Sequence, residues 1–287
     1  YIAWGLFPIY WKWLSQVPAV QLLGHRIMWS FILLAVFLLL TRRWADFREK
    51  LSVKVLRIYL VAAMLIGVNW LTYVWAINAG FIIETSLGYF INPLLSVLLG
   101  VIFFRERLRP TQWIPIGLVA AGVLYLTVSY GSLPWIALTL AISWGFYGLV
   151  KKMAPLGSVY GVTLETGILF LPALGYLVMM DVSGSGKFLH DGILTDLLLA
   201  GAGVVTTIPL LMFAKASRRI PLSMIGILQY ISPTLTFIIG LSIYHEPVTQ
   251  SRLIGFGIVW LALIIFWVEN RIARHNIPPV VPEFGED

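Results

Sequence analysis

Apolar residues in this chain run continuously, in stretches of about twenty, between short clusters of charge, Gly and Pro. A helix needs about 20 such residues to cross about 30 Å of hydrocarbon at about 1.5 Å per residue. Runs of this kind cover residues 1–14, 22–41, 58–79, 81–104, 111–129, 133–150, 159–180, 194–216, 221–243 and 252–270, and they predict ten helices. Strict alternation, the mark of a transmembrane barrel, is missing from them. The first run is too short to span and the chain has no initiator Met, so the sequence is expected to start inside an incomplete first helix rather than with a signal peptide.

The polar breaks carry topology. Arg42, Arg43, Arg48, Lys50, Lys54 and Arg57 follow the second run. Arg105, Arg107 and Arg109 follow the fourth, Lys151 and Lys152 the sixth, and Lys215, Arg218 and Arg219 the eighth; Arg271 and Arg274 lie in the tail. The intervening loops hold only Lys12, Lys187 and Arg252. Positive charge resists translocation, so the rich loops are expected on the cytoplasmic side, with both termini. The alternation is complete and independently supports about ten spans.

Composition narrows the class. Charged residues are 11% and hydrophobic ones 59% of the chain, against about 25% charged in a soluble domain. An ordinary globular enzyme, a disordered chain and a nucleic-acid binder are thereby excluded. The net charge of +7 is a loop signal, not a phosphate-binding face. Without Cys, no disulfide, thiol nucleophile or Cys-based zinc site can form.

Displacing the chain on itself by about 140 residues brings Ala3-Trp4-Gly5 onto Ser143-Trp144-Gly145, Lys12 onto Lys152, Asn92-Pro93 onto Ser232-Pro233, Gly100 onto Gly240, Glu106 onto Glu246 and Gly117 onto Gly257. One gapless shift aligns the first five runs with the last five. Five spans is odd, so the second copy must thread the membrane in the opposite sense. Arg105-Glu106-Arg107 is basic, and its counterpart His245-Glu246-Pro247 has lost the arginines, as an external loop should. The predicted architecture is an all-α membrane protein: residues 1–130 form one five-helix repeat, residues 131–270 a second, inverted one, and residues 271–287 a cytoplasmic tail. Inverted repeats place a substrate site at their interface near the midplane.

Ionisable groups within spans demand a reason, since each costs about 2.5–3.5 kcal/mol at the bilayer centre. Arg26 lies about one turn into the second span from outside, beside His25; Glu165 lies about two turns into the seventh from inside. Depths of about 6 and 9 Å leave roughly 15 Å between them, too far for an ion pair. Both can be polar stations on one pathway. Equally, Arg26 can snorkel to the external interface and Glu165 can bond a neighbouring helix. Asn69, Trp70 and Tyr73 sit in mid-span 3; Tyr89, Phe90, Asn92 and Pro93 in mid-span 4; Gln229, Tyr230, Ser232 and Pro233 in span 9. Pro93 and Pro233 each remove a backbone donor, giving either a kinked cavity wall or a bend that fits the bundle, with Asn92 as interhelical glue. Glu84 heads span 4, where it can cap the helix or gate. Lys12 and Lys152 read as snorkelling, and Trp11, Trp13, Trp44, Trp113 and Trp135 as interface anchors. Trp4, Trp70, Trp75 and Trp144 lie deeper and are candidates for a pocket, together with Tyr147. Ser183-Gly-Ser-Gly-Lys187 is an incomplete P-loop in an external loop, and no zinc or nucleophile-elbow motif occurs. No metal or cofactor is expected.

Gly24 to Ser30, Gly67 to Trp70, Glu84 to Leu94, Gly131 to Pro134, Phe146 to Val150, Leu164 to Thr166 and Gln229 to Thr234 resemble the RarD branch of the EamA family, in the drug/metabolite transporter superfamily. The resemblance runs over essentially the whole chain and implies a ten-helix permease of the bacterial inner membrane, with a link to chloramphenicol. The expected function is secondary transport of a small metabolite or drug-like solute by alternating access. Glu165 would be the proton-coupling group, because an acid in a low-dielectric cavity can exchange protons near neutral pH. The expected partners are a small-molecule substrate and the bilayer, with a monomer or weak homodimer and no nucleic acid. A channel would need a continuous polar stripe; an intramembrane lipid-modifying enzyme would need His25 and Glu165 in contact.

Overall fold

A computed structural model describes residues 1–79, 81–130, 133–245 and 250–275. Among these every regular element is helical. The chain runs through α1 (Ile2–Gly5), α2 (Phe7–Lys12), α3 (Ala19–Leu40), α4 (Trp44–Glu49), α5 (Val53–Asn78), α6 (Ile82–Phe104), α7 (Trp113–Tyr130), α8 (Trp135–Met153), α9 (Ser158–Val182), α10 (Ile193–Ser217), α11 (Leu222–Gln229), α12 (Ile231–Ser242) and α13 (Gln250–His275). Among the described residues, five stretches are long and apolar enough to cross a membrane: Ala19–Leu40, Val53–Ala76, Ser158–Val182, Ile193–Ser217 and Leu222–Ser242.

Two of the predicted runs are broken. Residues 1–14 form two short helices that meet at Leu6, and Pro8, in the first turn of α2, has no N–H to continue the ladder. The run 221–243 divides at Tyr230, three residues before Pro233, which cannot donate back across that junction. Pro93, by contrast, lies within the unbroken α6. Its carbonyl is approached so closely by α11 that a Cβ on Gly226 would fall 2.6 Å from it. The two prolines therefore bend the chain differently, although they are repeat counterparts.

Packing between helices in lipid gains little from hydrophobicity and depends on close backbone approach. Small residues provide it here. A Cβ on Gly203 of α10 would lie 2.6 Å from Trp29 of α3. Gly5 lies against Leu235 and Gly145 against Leu95, two contacts that interchange when about 140 is added to the glycine number and taken from the leucine number. The central core takes Leu34, Ile66, Leu99, Tyr147, Val162, Phe213 and Ile225 from α3, α5, α6, α8, α9, α10 and α11. Outward faces are apolar: Met64, Leu124, Leu171 and Met212 are all exposed, which suits a lipid solvent and would be a large aggregating patch in water.

Three packed pairs define the interior. In α3 and α9, Gly24 meets Leu177 and Phe31 meets Gly167 and Phe170, so residue numbers rise on one helix as they fall on the other. In α6 and α11, Ser96 accepts from Gln229 while Gly100 lies by Ser223. In α7 and α13, Gly122 meets Ile258, and Thr111, just before α7, binds Glu269. All three pairs are antiparallel.

Candidate functional site

Glu165 projects from α9 into the core. Tyr147 and Lys151 reach it from α8, where a spacing of four puts both on one face. The Lys151 ammonium lies 2.8 Å from Glu165 Oε1, and the Tyr147 hydroxyl donates to Oε2 at 2.9 Å. Side-chain exposures of 3% and 1% make this a desolvated ion pair. The Tyr59 and Tyr147 rings flank the ammonium at 5.6 and 5.7 Å. Lys151 had read only as a cytoplasmic topology charge. The spacing Tyr147-x-x-x-Lys151 is the signal that could have paired it with an intramembrane acid.

Arg26 occupies a separate station toward the other end of α3. Its Nε donates to Thr206 Oγ1 of α10 at 3.0 Å, and its Cζ lies 4.9 Å from the Trp11 ring centre and 5.0 Å from that of Trp70. Tyr73 and Tyr89, whose rings meet edge to face at 6.0 Å, are near enough to interact with its charge. Trp11 is thus a partner of Arg26 and not simply an interface anchor; the break at Leu6 turns α2 so that the indole faces inward. Trp75 moves the opposite way. It is 45% exposed and packs on Phe81 and Trp135, forming an outward aromatic group and not a pocket wall. Tyr89 is 41% exposed although it neighbours Arg26.

Between the two stations lies packed aromatic core. Trp70 packs against the central cluster that contains Tyr147. Trp4 and Trp144, counterparts in the repeat, meet edge to face at 5.4 Å, and Phe213 lies 5.3 Å from Trp144 and 6.0 Å from Tyr147. Arg26 and Glu165 are not paired to each other. His25 is buried against Phe188, remote in contacts from Glu165, with Nδ1 unpartnered.

Several polar candidates serve helix contacts. Asn69 donates to the Leu140 carbonyl at 2.9 Å and to Ser143 Oγ at 3.0 Å, tying α5 to α8. Gln229 donates to Ser96 Oγ at 3.1 Å, and Ser96 donates to the Asn92 carbonyl. Asn92 Oδ1 is buried without a partner, and Tyr230 is buried at the junction of α11 and α12. Glu84 falls in the first turns of α6, but its side chain, like that of Phe90, lies outside the described residues, as do Glu246 and residues 276–287.

At one end of the bundle, Arg105 adopts a left-handed turn with φ 52° and Glu106 reaches the N-terminus of α11. The carboxylate accepts from Leu222 N at 2.6 Å, Ser223 N at 2.9 Å and Ser223 Oγ at 2.7 Å, with Lys152 at 3.3 Å. Burial pushes this carboxyl up, but the Ser223 and Leu222 donors and the Lys152 charge outweigh it and hold it below the usual carboxylate range. Lys152 also donates to the Ile220 carbonyl at 2.8 Å. Its ammonium is thus held by Glu106 and a main-chain carbonyl. At the opposite end, Gln21 donates to the Ser185 carbonyl at 2.8 Å and accepts from Lys187 N at 3.1 Å, which folds Phe188 onto His25 and Trp29.

Continuous apolar helices around two buried polar stations define a multi-pass membrane protein. A model of the EamA-like transporter family matches residues 1–128 and again 133–268. An uncharacterized transporter of Bacillus subtilis, YojE, is 47% identical over 93% of this chain and 90% of its own length. Protein RarD of Streptomyces exfoliatus is 44% identical over 96% of this chain and 88% of its own. A solved crystal structure superposes with a TM-score of 0.66 at 16% identity, over 94% of both chains, a likeness of fold. The chain belongs to the EamA-like transporter family, in the branch whose members are named RarD.

Proposed function

We propose that the protein is a secondary transporter of the bacterial inner membrane, both termini cytoplasmic, that moves a small metabolite or drug-like solute by alternating access. Its moving parts are two inverted five-helix repeats, residues 1–130 and 131–270. The observation that carries this reading is the packing of α3 on α9. Residues 22–41 and 159–180 correspond in the 140-residue repeat, and their helices lie antiparallel in contact. A repeat and its inverted copy must meet in this way at the axis that relates them. The same sense in α6 with α11 and in α7 with α13 supports it, as do the two matches of the family model.

The solute site is assigned to the region of Arg26, Trp70, Tyr73 and Tyr89. Glu165 is the coupling group. In the arrangement described, it is neutralised by Lys151, and a proton delivered to Glu165 would release Lys151 and loosen α8 from α9. The packed aromatics between Arg26 and Glu165 favour a carrier, since a channel needs a continuous polar path. The test is flux in proteoliposomes under an imposed pH gradient, with chloramphenicol and aromatic metabolites as solutes. Glu165→Gln should abolish pH-driven flux and leave substrate binding measurable. Unchanged pH dependence in that variant would leave exchange or facilitated diffusion, and flux equal to that of empty vesicles for every solute would count against the transporter itself.

A further inference from the structure

Buried arginines are ordinarily satisfied by carboxylates or carbonyls, because five N–H donors taken out of water must be paired. Arg26, half-buried, departs from this. Its one hydrogen bond uses Nε, and no carboxylate among the described residues pairs with it. The carboxylates beside basic groups are used elsewhere: Glu165 with Lys151, Glu106 with Lys152, Glu269 with Arg109, Asp46 with Lys50 and Asp191 with Lys187. The four N–H groups on its two Nη atoms have no acceptor among the described residues. They are nevertheless not among the polar atoms sealed away from solvent without a partner. Each Nη atom therefore keeps some surface that water can touch.

The surroundings of that fork are specific. Trp11 and Trp70 present ring faces to the guanidinium, and their attraction for a cation is strongest where water is scarce. Thr206 fixes Nε, which sets the direction of the remaining donors. Tyr89 is exposed and packs edge to face on Tyr73. A positive fork with free donors, walled by flat rings, matches a planar anion joined to an aromatic or apolar body. A neutral solute would leave the charge uncompensated.

Resting on the transport reading above, we infer that the transported solute is a small organic anion, whose carboxylate is gripped in two-point fashion by Arg26 and whose body stacks among Trp11, Trp70, Tyr73 and Tyr89. A carboxylate is favoured over a bulkier, doubly charged phosphate because the site offers one positive charge.

The test compares isosteric pairs on the full chain in detergent or nanodiscs: phenylacetate with phenylacetamide, and indole-3-acetate with indole-3-acetamide, read by tryptophan fluorescence and thermal shift. The acids should bind about 10–100-fold more tightly than the amides, the range expected for a charge-assisted pair. Arg26→Gln should remove that preference, while Arg26→Lys, keeping charge but not the fork, should retain a reduced one. Circular dichroism and melting temperature identify a variant that has failed to fold, and the acid–amide comparison on the unaltered protein then decides alone. Equal binding of acids and amides, or no binding of any acid, overturns the inference. Chloramphenicol or another neutral solute moving across proteoliposomes in that case would leave the transporter standing with its anion specificity refuted.

Discussion

Lys151 and Glu165 exchange one problem for another. Each alone would be an expensive charge in the core, and together they form a neutral pair that Tyr147 completes. Removing one member strands the other. Lys151→Met is expected to cost about 3–5 kcal/mol, seen as a lower melting temperature in detergent, while Lys151→Met with Glu165→Gln should recover much of that loss. Glu106 differs because it lies at the membrane edge, among backbone donors of α11. Its carboxyl is held low, so its contribution is complete above the ordinary carboxylate range and disappears as pH falls through the lowered value. Thermal unfolding followed downward from neutral pH should show an acid loss that Glu106→Gln lacks, with the variant less stable at neutral pH. The intramembrane polar residues were legible in sequence as exceptions needing partners. Which partners they take was not, because Lys151 looks the same whether it marks a loop or enters the core.

Helices are joined where side chains are smallest. Gly203 lets α10 approach α3 at Trp29, Ser30 donates to the Gly203 carbonyl at 3.1 Å, and one turn away Thr206 meets Arg26. Gly203→Ala should force the two helices apart, lowering stability by about 1–3 kcal/mol in thermal unfolding. It should also weaken any solute that depends on Arg26. Five spans followed directly from runs of apolar residues, since crossing length is fixed by bilayer thickness. The breaks at Leu6 and Tyr230 did not. Pro93 and Pro233 are the same residue at matching repeat positions, yet α6 continues through one and the chain divides before the other. Local sequence supplies the missing donor, and the neighbouring helices decide how the backbone accommodates it.

For the molecule as a whole, orientation is directly testable because the chain has no native cysteine. Single cysteines replacing Arg43 or Arg219 should be shielded from a membrane-impermeant maleimide in intact cells, and one replacing Ser183 should be labelled. Labelling of all three from outside would overturn the assigned topology. The two ends of the bundle are also closed by different devices. Glu106 and Lys152 fasten one end to α11, and Gln21 and Phe188 cover the other. A carrier that alternates must undo these one at a time, so Gln21→Ala and Glu106→Ala should bias accessibility of the interior in opposite directions.

Sequence by itself determined that this chain lives in lipid, how many apolar runs it has, where its basic loops fall and that its halves correspond. Those features are set by one-dimensional quantities: run length, charge position and repeat offset. Tertiary structure alone decided that Lys151 neutralises Glu165, that Trp11 turns in and Trp75 out, and that Arg26 keeps free donors among aromatic rings. Such pairings depend on rotation about each helix axis and on approach distances of a few tenths of an ångström, which apolar runs with nearly uniform faces do not encode.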